Sequence, residues 1–271
     1  ADRIRADYCR VLIDGATGQC DDGSLTAQSC PIHQGLVDAL PEKEQKAVFD
    51  RLLDRLHAVN AHFDCGIFGA KYILRTLSEG GRTDLALRMV LQETSPCYAD
   101  WIRRGAGTLW EDWGEGSSRN HVMFGDVSAW FYQYLAGIRL DGAPYPSAGG
   151  VPSAPGFRRS TLAPDCRVSD LAVPGKEPLR SVDAHLDTPY GRIASRWDRD
   201  PQTEELTFEA VVPYNTRAKI FVPYDEGEEV LADHKIPESI RLGAEKVTDR
   251  GKPALLYEVG GGTYRFTVRK A

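Results

Sequence analysis

Residues Asp141–Gly156 read DGAPYPSAGGVPSAPG, and the chain keeps a different period on either side of them. Pro, Gly, Ala and Ser at that density are linker or surface-loop chemistry. Upstream the pattern is helical. Val48, Leu52 and Leu56 recur every four residues between Glu42 and Asn60, with Phe49 and Leu53 widening the apolar stripe and Pro41 at a permitted helix start. Further helices are predicted over 27–40, 67–77, 83–93 and from His121 or Val122 to Leu135, with Gly80–Gly81 and Gly137 as stops. Downstream the period becomes two. Leu206, Phe208, Ala210 and Val212 alternate with polar neighbours, as do Ala218, Ile220 and Val222, and then Tyr264, Phe266 and Val268. Turn clusters at Thr188–Gly191 and Gly260–Gly262 separate such runs, which is the pattern of an antiparallel sandwich. The expected organisation is α+β and multidomain: a helical part over 1–140, a linker over 141–156 and a β-sandwich over 157–271. Phe208, Ile220 and Phe266 are expected to close the sandwich core.

Composition removes several classes of function. The 271 residues carry 33 Lys and Arg against 39 Asp and Glu, a net charge of -6, without a basic run. That is no footprint for nucleic acid. No apolar stretch approaches the ~18 residues of a membrane span. Six cysteines lie scattered at 9, 20, 30, 65, 97 and 166. Without close pairs they read as separate thiols rather than as a zinc site or a disulfide framework. The histidines show no H-E-x-x-H spacing, so neither a metal nor a cofactor is implied.

Chemistry concentrates in Gly105–Ile138, GAGTLWEDWGEGSSRNHVMFGDVSAWFYQYLAGI, which holds three of the five tryptophans. Trp110-Glu111-Asp112-Trp113 sits between two glycine-bearing loops, and Asn120-His121 follows. Aromatic faces beside carboxylates suit carbohydrate, because sugar C–H faces pack on rings while hydroxyls take charge-assisted hydrogen bonds. Cleaving a glycosidic bond needs two carboxyl groups. Plainer readings stand beside this one. Trp130 shares a helix with Phe131, Tyr134 and Leu135, and packing accounts for it. Asp112 and Glu115 read as solvated loop acids, and His121 by itself reads as a cap. Ser117 and Ser118 lack the G-x-S-x-G turn of a serine nucleophile.

The ordered series Trp110-Glu111-Asp112-Trp113, Asn120-His121-Val122-Met123-Phe124-Gly125 and Ala136-Gly137-Ile138 resembles bacterial α-L-rhamnosidases of glycoside hydrolase family 78. Gly66–Tyr72 upstream, and Tyr190–Ile193 with Val212–Thr216 downstream, extend the likeness over most of the chain. The resemblance implies part of an (α/α)6 six-hairpin toroid followed by a β-sandwich, and an inverting hydrolase. Glu111 then maps onto the general base and His121 onto a residue contacting the sugar, with Trp110, Trp113 and Asn120 as further substrate contacts. An inverting base must hold a water against the anomeric carbon, with its carboxyl about 6.5–9.5 Å from that of the acid. Pro96-Cys97-Tyr98-Ala99 and Gly105-Ala106-Gly107-Thr108 depart from the family's usual spelling.

A full toroid needs about twelve helices, more than the stretch before Asp141 supplies. The family's acidic segment carrying the general acid has no counterpart here. The chain therefore looks like the C-terminal part of a larger enzyme, carrying the base and lacking the acid. Its expected ligand is a rhamnose-containing glycoside, with self-association through uncovered helix faces. Another glycoside substrate, or a non-catalytic carbohydrate-binding or structural piece, are the competing readings.

Overall fold

The structure, a computed structural model, describes residues 1–114, 116–142, 156–167 and 171–271. Glu115 and most of the Pro/Gly-rich stretch lie outside the described residues. The described residues group into two units, 1–128 in one and 129–142, 156–167 and 171–271 in the other.

The first unit is helical. It runs α1 (Asp2–Leu12), a short hairpin of β1 (Ile13–Asp14) and β2 (Gln19–Cys20), α2 (Leu25–His33), α3 (Glu42–Ala58), α4 (Ile67–Glu79), α5 (Thr83–Val90) and α6 (Tyr98–Arg103). The apolar stripe of α3 is the buried one: Val48, Leu52 and Leu56 are fully covered. Helix α2 differs from the expected 27–40. The Ser24 side chain accepts from Ala27 N and starts the helix early. Leu36 N then donates to Pro31 O, a closing bond that stops the helix at His33 and leaves only a 3-10 turn over Val37–Ala39. The helix expected over 83–93 ends at Val90. Helices α1 and α6 were not expected: α1 buries no residue fully, and α6 is six residues long.

Residues 122–135 form one helical run of changing pitch, a 3-10 turn over Val122–Gly125, α7 (Asp126–Trp130) and a π turn over Phe131–Leu135. Gly137 ends it with φ +73°, where a Cβ would lie 2.2 Å from the Ala163 carbonyl carbon and Pro164 N, so only glycine fits.

The second unit is a sandwich of two five-stranded sheets. It uses β3 (Ile138–Leu140), β4 (Arg159–Leu162), β5 (Ser181–Thr188), β6 (Gly191–Arg199), β7 (Leu206–Val212), β8 (Arg217–Pro223), β9 (Glu228–Ala232), β10 (Glu245–Asp249), β11 (Lys252–Val259) and β12 (Gly262–Lys270). The orders are β10-β11-β8-β4-β3 and β5-β6-β7-β12-β9. Among the described residues the pairings are antiparallel except β4 with β8, which is parallel. Phe208, Ile220 and Phe266 are buried between the sheets as expected, with Tyr257 packed 4.8 Å from Phe266. Trp130 is fully buried, as the packing reading has it. The Trp197 indole N–H donates to Leu135 O at 2.7 Å, so this buried ring leaves no polar atom unpaired.

Candidate active site

Residues 108–121 fold back on themselves. His121 N donates to Leu109 O and Glu111 N to Ser118 O, both at 2.8 Å, so the two arms run antiparallel. Thr108 Oγ1 donates to Arg119 O and closes the base of the loop. At the tip, Gly114 N donates to the Asp112 carboxylate at 2.6 Å. The W-E-x-W and N-H motifs, separated in sequence by a polar Gly/Ser stretch, are thereby joined through one loop. Asn120 is exposed and His121 half-buried, with an extended backbone just ahead of the 122–125 turn.

Glu111 is half-buried and its carboxylate crosses the loop to accept from Ser118 N at 3.2 Å. One oxygen is thus used to orient the group. A carboxylate has further acceptor capacity, and that is what a base needs to hold a water.

The loop is anchored from beneath by aromatic side chains. Trp113 lies 4.4 Å from Phe124, 4.7 Å from Trp101, 5.2 Å from Phe63 and 5.4 Å from Tyr98, centroid to centroid. Its indole N–H donates to Cys65 O at 2.8 Å. Trp110 is buried against Trp101, with the Arg104 and Arg119 guanidiniums over its ring at 4.8 and 5.2 Å. Arg104 also donates to Trp113 O at 2.6 Å and pairs with Asp100 at 2.9 Å. The two tryptophans read from sequence as sugar contacts are, in this structure, engaged with their own neighbours. Tyr98 OH donates to Phe124 O, and burial raises the pKa of its phenol.

The helix that follows is tied down by an ion pair. Arg75 of α4 reaches the Asp126 carboxylate at 2.9 Å, and both are largely covered. Burial pushes the Asp126 carboxyl up, against the pull of Arg75 and Lys71. Nearby, His33 stacks on Tyr72 at 4.8 Å. Burial lowers its pKa to about 4, with the charges of Arg75 and Lys71 adding to the effect. Sequence reading passed over Arg104 and Arg75, and weighed Ser118 only as a nucleophile. Ser118 acts through its backbone N–H and C=O, and the arginines also bond residues of other segments, Trp113 for Arg104 and Asp126 for Arg75.

All six cysteines are free, and the described residues hold no cluster of His, Cys, Asp and Glu able to bind a metal. No described helix is long and apolar enough to cross a membrane.

Comparison with known proteins supplies the family context. Residues 1–135 match the bacterial alpha-L-rhamnosidase 6 hairpin glycosidase domain, and residues 149–237 the bacterial alpha-L-rhamnosidase C-terminal domain. An alpha-L-rhamnosidase of Formosa agariphila is 30% identical over 244 residues, covering 86% of this chain and 24% of that protein. The alpha-L-rhamnosidase structure from Dictyoglumus thermophilum superposes with a TM-score of 0.79 at 26% identity, over 99% of this chain and 28% of that one. The Streptomyces avermitilis alpha-L-rhamnosidase, solved in complex with L-rhamnose, gives 0.78 at 26% identity, over 99% and 24%. The chain spans about a quarter of the length of the curated relatives it matches.

Proposed function

Because this chain belongs to the bacterial α-L-rhamnosidase family, we propose that it serves the inverting hydrolysis of terminal α-L-rhamnosides, with Glu111 as general base. The observation that carries the reading is the Glu111 carboxylate, half-buried and oriented by Ser118 N in the loop whose other arm bears Asn120 and His121. In this reading Glu111 takes a proton from a water as that water attacks the anomeric carbon. His121 and Asn120 hold ring hydroxyls on the same side of the site. A second carboxyl protonates the departing glycosidic oxygen. That acid belongs to a segment outside residues 1–271, since the family's acidic motif has no counterpart among them. Trp110 and Trp113 fix the loop from beneath, so their contribution to rhamnose affinity runs through the placement of Glu111. The reading also includes self-association through exposed apolar helix positions such as Ile4, Val11 and Ile102.

The test is Glu111→Gln in the full-length enzyme, assayed on an aryl rhamnoside. Loss of a general base costs about 10²–10⁴ in rate, so kcat should fall within that range while rhamnose binding survives. Residues 1–271 alone should show no turnover. A Glu111→Gln enzyme with undiminished kcat would remove Glu111 from the chemistry.

A further inference from the structure

The second unit carries a polar cleft of about 750 Å³, lined by none of the candidate active-site residues. Arg159 of β4 and Arg217 of β8 line it, and they stand in register across the parallel pair of the sheet. Adjacent strands lie about 4.8 Å apart, and residues in register project from the same face, so the two side chains leave the sheet side by side. Like charges placed opposite one another disfavour a sheet. Among the described residues neither arginine has a carboxylate within ion-pairing distance.

The cleft also holds two acids, Asp141 and Glu258, and a third cation, Lys219. Asp141 lies 3.5 Å from Lys219 Nζ, and Glu258 stands opposite Lys219 in the β8–β11 register. A chain of net charge -6 thus gathers three cations against two acids at one spot, with the guanidinium pair outside the Asp141–Lys219 contact.

Two turns lie at the same end of the sheet. In one, Thr216 closes back on Pro213 O through its N–H and its hydroxyl, leaving Asn215 in the left-handed region and Tyr214 83% exposed. The other is Gly260–Gly261, packed so closely that a Cβ at Gly261 would lie 2.7 Å from Tyr214 Cα. Asn215 lines the cleft beside the arginines. An amide beside the paired guanidiniums, with an open aromatic ring one residue away on the same turn, makes a definite recognition set. The ring accepts a sugar C–H face, the amide its hydroxyls, and two planar forks a tetrahedral or planar oxyanion.

We propose that this cleft binds an acidic saccharide, with Arg159 and Arg217 clasping its carboxylate or sulfate and Asn215 and Tyr214 holding the ring. The choice of a saccharide rests on the glycosidase reading above. No covalent step is involved.

Calorimetric titration of the 271-residue chain tests it, using a galacturonate oligosaccharide, a sulfated oligosaccharide, a neutral oligosaccharide of the same length and inorganic sulfate. At least one acidic sugar should bind, more weakly as salt rises, and the neutral one should not. The Arg159→Ala/Arg217→Ala chain should lose tenfold or more in affinity with its melting temperature unchanged. The Arg159→Lys/Arg217→Lys chain should recover only part of that loss, because it keeps the charge and loses the fork. Tyr214→Ala, at an exposed position, gives a second probe should the double variant misfold, and it should weaken the sugar but not inorganic sulfate. Equal affinity for acidic and neutral sugars, no response to these substitutions, or binding of inorganic sulfate alone would each overturn the proposal. The glycosidase reading fails separately: Glu111→Gln would then keep its turnover while the arginine pair still set the affinity for acidic sugar.

Discussion

Single side chains set the acid limit of this fold as well as its chemistry. His33 is buried on Tyr72 and titrates at about 4, against about 6.5 for an unfolded imidazole. Between those two values the unfolded chain binds a proton that the folded chain refuses, so stability falls as pH drops through that window. Above pH 6.5 the group contributes no slope, and below pH 4 both states are protonated. Between pH 7.5 and 5 the loss from this residue should come to about 2 kcal/mol. Urea midpoints at the two pH values should therefore separate more for the parent than for His33→Phe, which has nothing to protonate. Parallel behaviour of the two proteins would show that His33 is not held neutral. The candidate site teaches a related lesson about what a sequence displays. Glu111 and His121 were legible because W-E-x-W and N-H-x-x-F-G are short and ordered. The packing of Trp113 was not, because its neighbours Phe63, Tyr98 and Trp101 come from other elements and an indole in a string looks the same whether it is open or covered.

Elements were readable where one face is covered and the other wet. Helix α3 showed its stripe because Val48, Leu52 and Leu56 alone are fully buried along it. Strands β7 and β12 alternated cleanly because each has neighbours on both sides and a buried face. Edge strand β5, SVDAHLDT, has no fully buried position, so its apolar signal is faint and its partner was found only by pairing with β6. Helix α1 was hidden for the same reason. The parallel pairing of β4 with β8 has no local signature at all, since the two strands are far apart in sequence and each reads as an ordinary short strand. The junction at Gly137 is where two periods meet, and it is sterically closed. Alanine there would adopt a left-handed conformation, costing about 1–2 kcal/mol, and would press on the Ala163–Pro164 backbone, costing about 1–3 kcal/mol more. Gly137→Ala should lower unfolding free energy by about 2–5 kcal/mol by denaturant titration. A shift inside experimental error would mean that the helix end and β4 are not so tightly apposed.

At the scale of the molecule, each unit encloses a core and each leaves some large apolar side chains open, Tyr214 and Leu242 in the sandwich among them. The sandwich encloses Trp197, Phe208, Ile220 and Phe266. The helical unit leaves Ile4, Val11, Phe68 and Ile102 mostly in water, and burial of apolar area is worth about 25 cal/mol per Å². Amides of α1 should therefore exchange well before those of β7 and β12, and sedimentation of residues 1–271 should show concentration-dependent association. Equal protection in both units together with a monodisperse monomer would contradict the self-association reading. A last consequence comes from the position of β12, which lies between β7 and β9 although both precede it in the chain. During synthesis, residues 206–212 and 228–232 are made before 262–270. At about 5–20 residues per second, the nascent sheet waits seconds with two strand edges open. How long those edges are offered to a neighbouring nascent chain is decided by the pace of translation across that interval, so slow codons between β7 and β12 should cost soluble yield without changing a single amino acid.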